Sequence, residues 1–289
     1  MKPAIEEWLD ILRIKVAKEA PELLQLFKVY AGEARFGRRY IDPNLQKLTF
    51  DAQILEVGAG AMILASQLAR EGYRVTALEP IGIGFSHFSQ LRALILEQAK
   101  DEKCMPLLLE IQAESLESDN RFDFAFSINV MEHVGNVATV IDKVVKSLTS
   151  KGIYRFTCPN YLFPYEPHFN IPTLISRTLT EKVLRKRIVE CDGMLDPVGV
   201  WNSLNWITVP MLKRICQSLG FICVYFDKNM LSIMLSRVVS DPEFSARRSP
   251  LLRLLLTFVV KLRLHKLTLL FPAVLHPVID CTLRKKLVI

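Results

Sequence analysis

Ile54-Leu55-Glu56-Val57-Gly58-Ala59-Gly60 is an apolar run that ends in a carboxylate and then in two glycines one residue apart. A short apolar run closed by a glycine turn reads as a buried strand, and the amphipathic segment from about residue 62 reads as the helix that leaves the turn. Glycines at 58 and 60 allow positive φ at little cost and leave room for a ligand to approach the main chain. A helix N-terminus after such a bend is one place where phosphate binds, as in nicotinamide-dependent folds. Glu56 argues against that use, because a carboxylate two residues before the first glycine repels a pyrophosphate and suits a cationic ligand. Ile63 also stands where a nicotinamide fingerprint needs a small residue. Glu79, at the end of the next apolar run, is placed to accept hydrogen bonds from both hydroxyls of a ribose. Together these residues describe a site for a nucleoside with a positively charged tail.

The same grammar continues on both sides of the bend. Apolar runs at 54–57, 74–78, 105–111, 122–128 and 152–158 alternate with helical patterns near 62–71, 86–100 and 136–149. Strands buried on both faces read as continuous apolar runs, and their alternation with helices implies a parallel sheet covered on both sides. A helix from Val209 to Leu219 stops at Gly220, and Phe221 to Asp227 and Leu231 to Val239 read as two further strands. Before the first strand, Ile5, Trp8, Leu9, Leu12 and Val16, then Leu23, Leu26, Phe27 and Tyr30, recur at helical spacing. Arg35 to Pro43 shows no period of its own and reads as a linker or flap. The expected fold is therefore α/β: a doubly wound, mostly parallel, Rossmann-like seven-stranded sheet with N-terminal helices and a C-terminal helical extension. Its expected parts are a helical cap over 1–49, a nucleoside-binding domain over 50–240 and a basic amphipathic extension over 241–289.

Glu56 to Gly60, Glu79, and Phe122-Asp-Phe-Ala-Phe-Ser-Ile-Asn-Val-Met-Glu-His133 together resemble the class I S-adenosylmethionine-dependent methyltransferases, and among them the ubiquinone- and menaquinone-biosynthesis branch. The resemblance covers residues 50–160 by motif. It implies S-adenosyl-L-methionine as cofactor, with Glu56, Gly58, Ala59 and Gly60 at its methionine end and Glu79 on its ribose. It also implies Gln112 and Ala113 at the adenine and Asn129 lining the pocket. Two positions depart from the family pattern. Met62 replaces a third glycine, and Gln112 replaces an aspartate, keeping an acceptor without its charge.

Methyl transfer is an in-line displacement in which the sulfonium charge disappears, so holding and desolvating the nucleophile supplies most of the rate. An oxygen or nitrogen acceptor still has a proton to lose. His133, Tyr161, Glu166 and His168 are the candidates for that role. The last three lie in a loop with Pro159, Pro164, Pro167 and Pro172, directly after the fifth strand, where sites in such sheets sit. Trp201 and Trp206 are expected chiefly as core. The expected reaction is methyl transfer, foremost to oxygen, of a small-molecule or lipid-linked acceptor. The alternative is a catalytically inactive member of the same fold that acts as a membrane-associated binding module.

Composition narrows the field further. The chain has 289 residues, half of them hydrophobic, which is enough for a packed core and excludes general disorder. Its six cysteines form no CxxC pair or Cys/His cluster at ligand spacing, so no metal and no disulfide scaffold are expected. Lys2, Glu6 and Glu7 precede any apolar run, which is not the layout of a secretory signal, and a cytoplasmic location is expected. Of the net charge of +7, residues 241–289 carry nine Lys and Arg against three Asp and Glu. The nearly neutral remainder, and the lack of an Asn/Asp-Pro-Pro-Tyr/Phe tetrapeptide, argue against nucleic acid. Leu251 to Ile279 is rich in leucine but broken by Arg253, Lys261, Arg263, His265 and Lys266, too often for a bilayer span. It matches an interfacial helix, so an anionic membrane surface is an expected partner through 251–286.

Overall fold

The computed structural model describes residues 4–80, 88–117, 119–191, 196–240, 245 and 250–286. Seven strands form one sheet: β1 (Gln53–Val57), β2 (Arg74–Leu78), β3 (Leu107–Leu109), β4 (Phe122–Ile128), β5 (Leu148–Pro159), β6 (Ile222–Phe226) and β7 (Val278–Lys285). Their order across the sheet is β3-β2-β1-β4-β5-β7-β6. The first five are parallel in register, with Leu55 opposite Thr76 and Ala125. β7 runs antiparallel to both β5 and β6.

Period-two alternation splits the strand residues between two cores. Leu55, Val57 and Ala125 face α5 (Val137–Ser147) and α8 (Val209–Leu219), which follows α6 (Arg177–Val189) and α7 (Pro197–Ser203) in the chain; Phe122 joins them because the register shifts between it and Phe124. Ile54, Val75, Phe124 and Phe126 face α1 (Ile5–Glu19), α2 (Leu24–Leu45), α3 (Ile63–Arg70) and α4 (Phe88–Asp101). The helix ends follow local chemistry. Asn136 and Thr208 cap α5 and α8 by accepting from Thr139 N and Met211 N, and α8 stops where Gly220 takes φ 74°.

Three expectations need correction. Arg35–Pro43 is not a linker but the second half of α2, because Ala34, Gly37, Tyr40, Ile41 and Leu45 form a buried helical stripe. A Cβ on Gly37 would fall 2.6 Å from Ile128 Cδ1 and 2.8 Å from Leu64 Cδ2, so the missing side chain is what brings α2 against β4. Leu231–Val239 is not a strand: it lies in helix α9 (Asn229–Ser240). The seventh strand comes instead from Val278–Lys285, inside what reads as an extension, so a boundary at residue 240 would cut through one sheet. Between these two elements α10 (Pro250–Lys261) and a 3-10 segment (Leu264–Leu270) rest on α9. Lys285, counted among the basic residues of the tail, donates to Lys146 O at the end of α5 and to Leu148 O.

A buried polar cluster fastens the C-terminal strand to α2. Arg155 of β5 donates from Nη2 and Nε to Asp280 of β7 at 2.8 and 3.1 Å, and from Nη1 to Tyr40 O and Asn44 Oδ1 at 3.0 Å. The Tyr40 hydroxyl donates to Asp280 Oδ1 at 2.7 Å.

Candidate active site

The site lies beyond the carboxyl ends of the parallel strands. After β1 the chain bends through Gly58 (φ 74°) and Gly60 (φ 52°), and Met62 (φ 67°) then starts α3. Gly58 N and Ala59 N both donate to Leu78 O, at 2.8 and 3.1 Å, which fixes the bend against the end of β2. The two glycines do different work. A Cβ on Gly58 would lie 2.4 Å from Val130 Cγ2, whereas one on Gly60 would meet nothing within 4 Å. Gly58 lets the segment after β4 pack close, and Gly60 faces open space. Met62 does not fill that space, because its side chain is fully buried in the core beneath α3.

Glu79 closes the bend by accepting from Gly60 N through Oε2 at 2.7 Å. Burial raises its pKa, against the opposing effects of the Gly60 N–H and Arg92. Glu56 lies on the α3 face of the sheet. Burial, then the charge of Glu79, pushes its pKa well up, while the Ala65 N–H opposes the rise, and Oε2 has no hydrogen-bond partner. Gln112 is exposed just before a 3-10 turn at Ala113–Ser115, and Ala113 is buried. Glu114 Oε1 accepts from Asn136 N at 3.0 Å and joins this loop to α5. Asn129 (φ 54°) is exposed after β4, with its N–H on Thr157 O.

The four candidates for proton removal come together. Glu166, fully buried, accepts from Phe169 N at 2.7 Å, from the Tyr161 hydroxyl at 3.2 Å and from His168 Nδ1 at 2.6 Å. The ring of His168 meets that of His133 edge-on, with centroids 5.2 Å apart. His133 Nδ1 bonds Ser203 Oγ at 2.7 Å, and Ser203 donates its own proton to Val200 O. Burial would lower the pKa of His168, but its bond to Glu166 and the charges of Glu166, Glu132 and Glu33 outweigh that and raise it. His133, buried beside His168, is held down at about 4. Burial pushes the Tyr161 hydroxyl far up, so it serves Glu166 as a donor.

Several residues of the site carry no signal in the sequence. Asn205 donates from Nδ2 to Met131 O and Val134 O at 2.8 and 2.9 Å and from its N–H to Glu132 O, holding the turn that presents Glu132 and His133. Tyr30 and Glu33, both on α2, lie within electrostatic reach of Glu79 and His168 respectively. One helix therefore spans both ends of the site. Trp206 stacks on Tyr161 with centroids 5.1 Å apart, whereas Trp201 is core and donates to Glu181.

A family model described as a methyltransferase domain matches residues 31–225. An uncharacterized protein of Mycobacterium tuberculosis is 44% identical over 282 residues, which is 98% of this chain and 95% of that protein. A ubiquinone biosynthesis O-methyltransferase of Rickettsia akari is 34% identical over 101 residues, 35% of this chain and 38% of that enzyme. Among solved structures, a Haemonchus contortus phosphoethanolamine N-methyltransferase bound to S-adenosyl-L-methionine is similar with a TM-score of 0.46 and 16% identity. That match covers 85% of this chain and 49% of the other. With more than half of its length matched by the family model, the chain belongs to the methyltransferase family, in its S-adenosylmethionine-dependent class I.

Proposed function

We propose that the bend at Gly58–Gly60 holds the methionine end of S-adenosylmethionine, Glu79 its ribose, and Gln112, Ala113 and Asn129 its adenosine side. The acceptor then meets the cluster of His133, Tyr161, Glu166 and His168. Open space at Gly60 beside Glu79, together with the orphaned Oε2 of Glu56 on the strand that leads into the bend, supports a cationic nucleoside as the ligand. The observation that carries this reading is the contact of Gly58 with Val130, which sets the bend two residues from Glu132 and three from His133. When bound, the cofactor supplies an electrophilic methyl group on a sulfonium. The protein's remaining tasks are to align the nucleophile, exclude water and accept its proton. Two imidazoles and a saturated carboxylate at this end favour a hydroxyl acceptor, so O-methylation of a small-molecule or lipid-linked compound is the favoured reaction.

Calorimetric titration of the full chain with S-adenosylhomocysteine tests the reading. One equivalent is expected to bind the wild type, while Gly60→Ala folds but loses binding, since its methyl group enters the ligand's space. A Gly60→Ala variant that binds as well as the wild type would defeat the assignment.

We also propose that α10 and the 3-10 segment after it rest on an anionic membrane surface. Leu254, Leu255, Phe258, Leu267 and Leu270 are exposed there beside Arg253, Lys261, Arg263 and Lys266. Among the described residues no helix is long and apolar enough to cross a membrane.

A further inference from the structure

Glu132 has no side-chain exposure, and neither of its carboxylate oxygens has a hydrogen-bond partner. Leaving a buried carboxylate without donors is costly, and native proteins relieve that cost by protonating the group, by pairing it with a cation or by binding a metal. One ligand-capable atom each from Glu132, His133 and His168 lies within 4.8 Å of the other two.

The hydrogen bonds of the two rings set their tautomers. Ser203 Oγ spends its proton on Val200 O, so it receives one from His133 Nδ1; Glu166 likewise receives from His168 Nδ1. Each neutral imidazole therefore carries its lone pair at Nε2. Metal-binding histidines are held in this way, with the other ring nitrogen on a carboxylate or another oxygen. The fully buried carboxylates of Glu132 and Glu166 stand against the two rings, so the surroundings are complementary to a cation.

We infer that Glu132, His133 and His168 form a binding site for a divalent transition-metal ion, with Zn2+ the best match to two imidazoles and one carboxylate. Bonds of ~2.0–2.2 Å in a tetrahedral shell place ligand atoms about 3.4 Å apart, so binding draws the three side chains inward. Three protein ligands leave one position for an oxygen of the acceptor, and with the ion bound that oxygen would lose its proton to solvent at a lowered pKa instead of to the two imidazoles. The role of the ion rests on the proposed methyl transfer; its binding does not. The expectation that no metal is used came from spacing along the chain, which cannot show a site whose third ligand is 35 residues from the second.

The test uses the full chain stripped with a chelator and titrated calorimetrically with Zn2+ alone, with Mg2+ as the hard-ion control. One equivalent of Zn2+ is expected to bind much more tightly than Mg2+. Glu166→Gln, which keeps the ligands but weakens the hold on His168, is expected to lose about 10–100-fold in Zn2+ affinity, and Glu132→Gln and His168→Ala more. Circular dichroism on each variant separates lost ligation from lost fold, and a rise in Tm with Zn2+ that is largest in the wild type, smaller in Glu166→Gln and smallest in the two ligand variants supports the site. If the stripped wild type binds no Zn2+, or all three variants bind it equally, the inference is overturned. S-adenosylhomocysteine titration of the same samples reads the cofactor site separately, so a metal failure with retained nucleoside binding leaves the methyltransferase reading standing.

Discussion

The ends of the molecule proposed to hold cofactor and acceptor are built in opposite ways. At the first, five consecutive residues, Glu56 to Gly60, form the strand end and the bend, and one further side chain, Glu79, closes them. At the second, Glu33, Glu132, His133, Glu166, His168, Ser203 and Asn205 arrive from four separate segments. The sheet beneath this end is completed by residues 278–285. A local bend can be specified by local residues because its requirement, backbone freedom, is a property of each residue alone. An acceptor pocket has to be assembled by packing, so it depends on the whole fold, including the last strand of the chain.

The sharpest way to break the comparison is to weaken the distant part and ask whether the near part survives. Asp280 is 2% exposed at its side chain and joins Arg155 and Tyr40. Asp280→Ala leaves the Arg155 guanidinium buried without its carboxylate, and breaking such a pair is expected to cost about 3–5 kcal/mol. Equilibrium urea denaturation of the full chain would show it. A change below about 1 kcal/mol would mean that β7 is dispensable and that the sheet ends in effect at β5. By the same argument a chain ended near Val239 does not isolate a tail from a domain, because it removes a strand that lies between two others.

The next effect separates the two glycines. Gly58→Ala adds a methyl group 2.4 Å from Val130 at φ 74°, so overpacking and left-handed strain together are expected to cost about 2–4 kcal/mol. Gly60→Ala has only the strain, ~1 kcal/mol, and its penalty appears in nucleoside binding instead. Thermal denaturation of both variants reads the difference, and equal losses of Tm would show that Gly60 packs as Gly58 does.

How much could be read in advance follows the same division. The strands from β1 to β5 were legible because their apolar runs are continuous, and the bend was legible because Glu56, Gly58 and Gly60 are adjacent. α2 was misread at 35–43 because Gly37 and Pro43 look like loop residues. Gly37 in fact serves close packing against Ile128 and Leu64, and Pro43 falls in the helix's last turn. α9 was misread because β-branched and other apolar residues at 231–239 fit either period, and packing decided for the helix. β7 was hidden because Val278–Lys285 follows a leucine-rich basic stretch, and its charged residues hold the sheet: Asp280 binds Arg155, and Lys285 binds the end of α5. The pairing of His133 with His168 has no local signature at all. It depends on Glu166 and Ser203 fixing two rings on separate loops, which composition and spacing do not encode.

The smallest effect concerns the surface formed by α10 and the segment after it, which stands apart from both ends of the site. Its leucines and Phe258 remain exposed although the chain has two well-filled cores, so burying them against the protein is not what the fold does with them. Lys261 and Lys266 flank that apolar face and are exposed. Near an anionic bilayer each basic residue contributes roughly 1 kcal/mol, so replacing both with glutamine should weaken binding by about 2 kcal/mol, or ~30-fold. Sedimentation with phosphatidylglycerol-containing vesicles measures this at low and at high salt. The loss should shrink as salt screens the charges, while Phe258→Ser should weaken binding at both. If neither change affects sedimentation, the face serves something other than a lipid surface. If only the serine variant does, apolar contact alone holds it there.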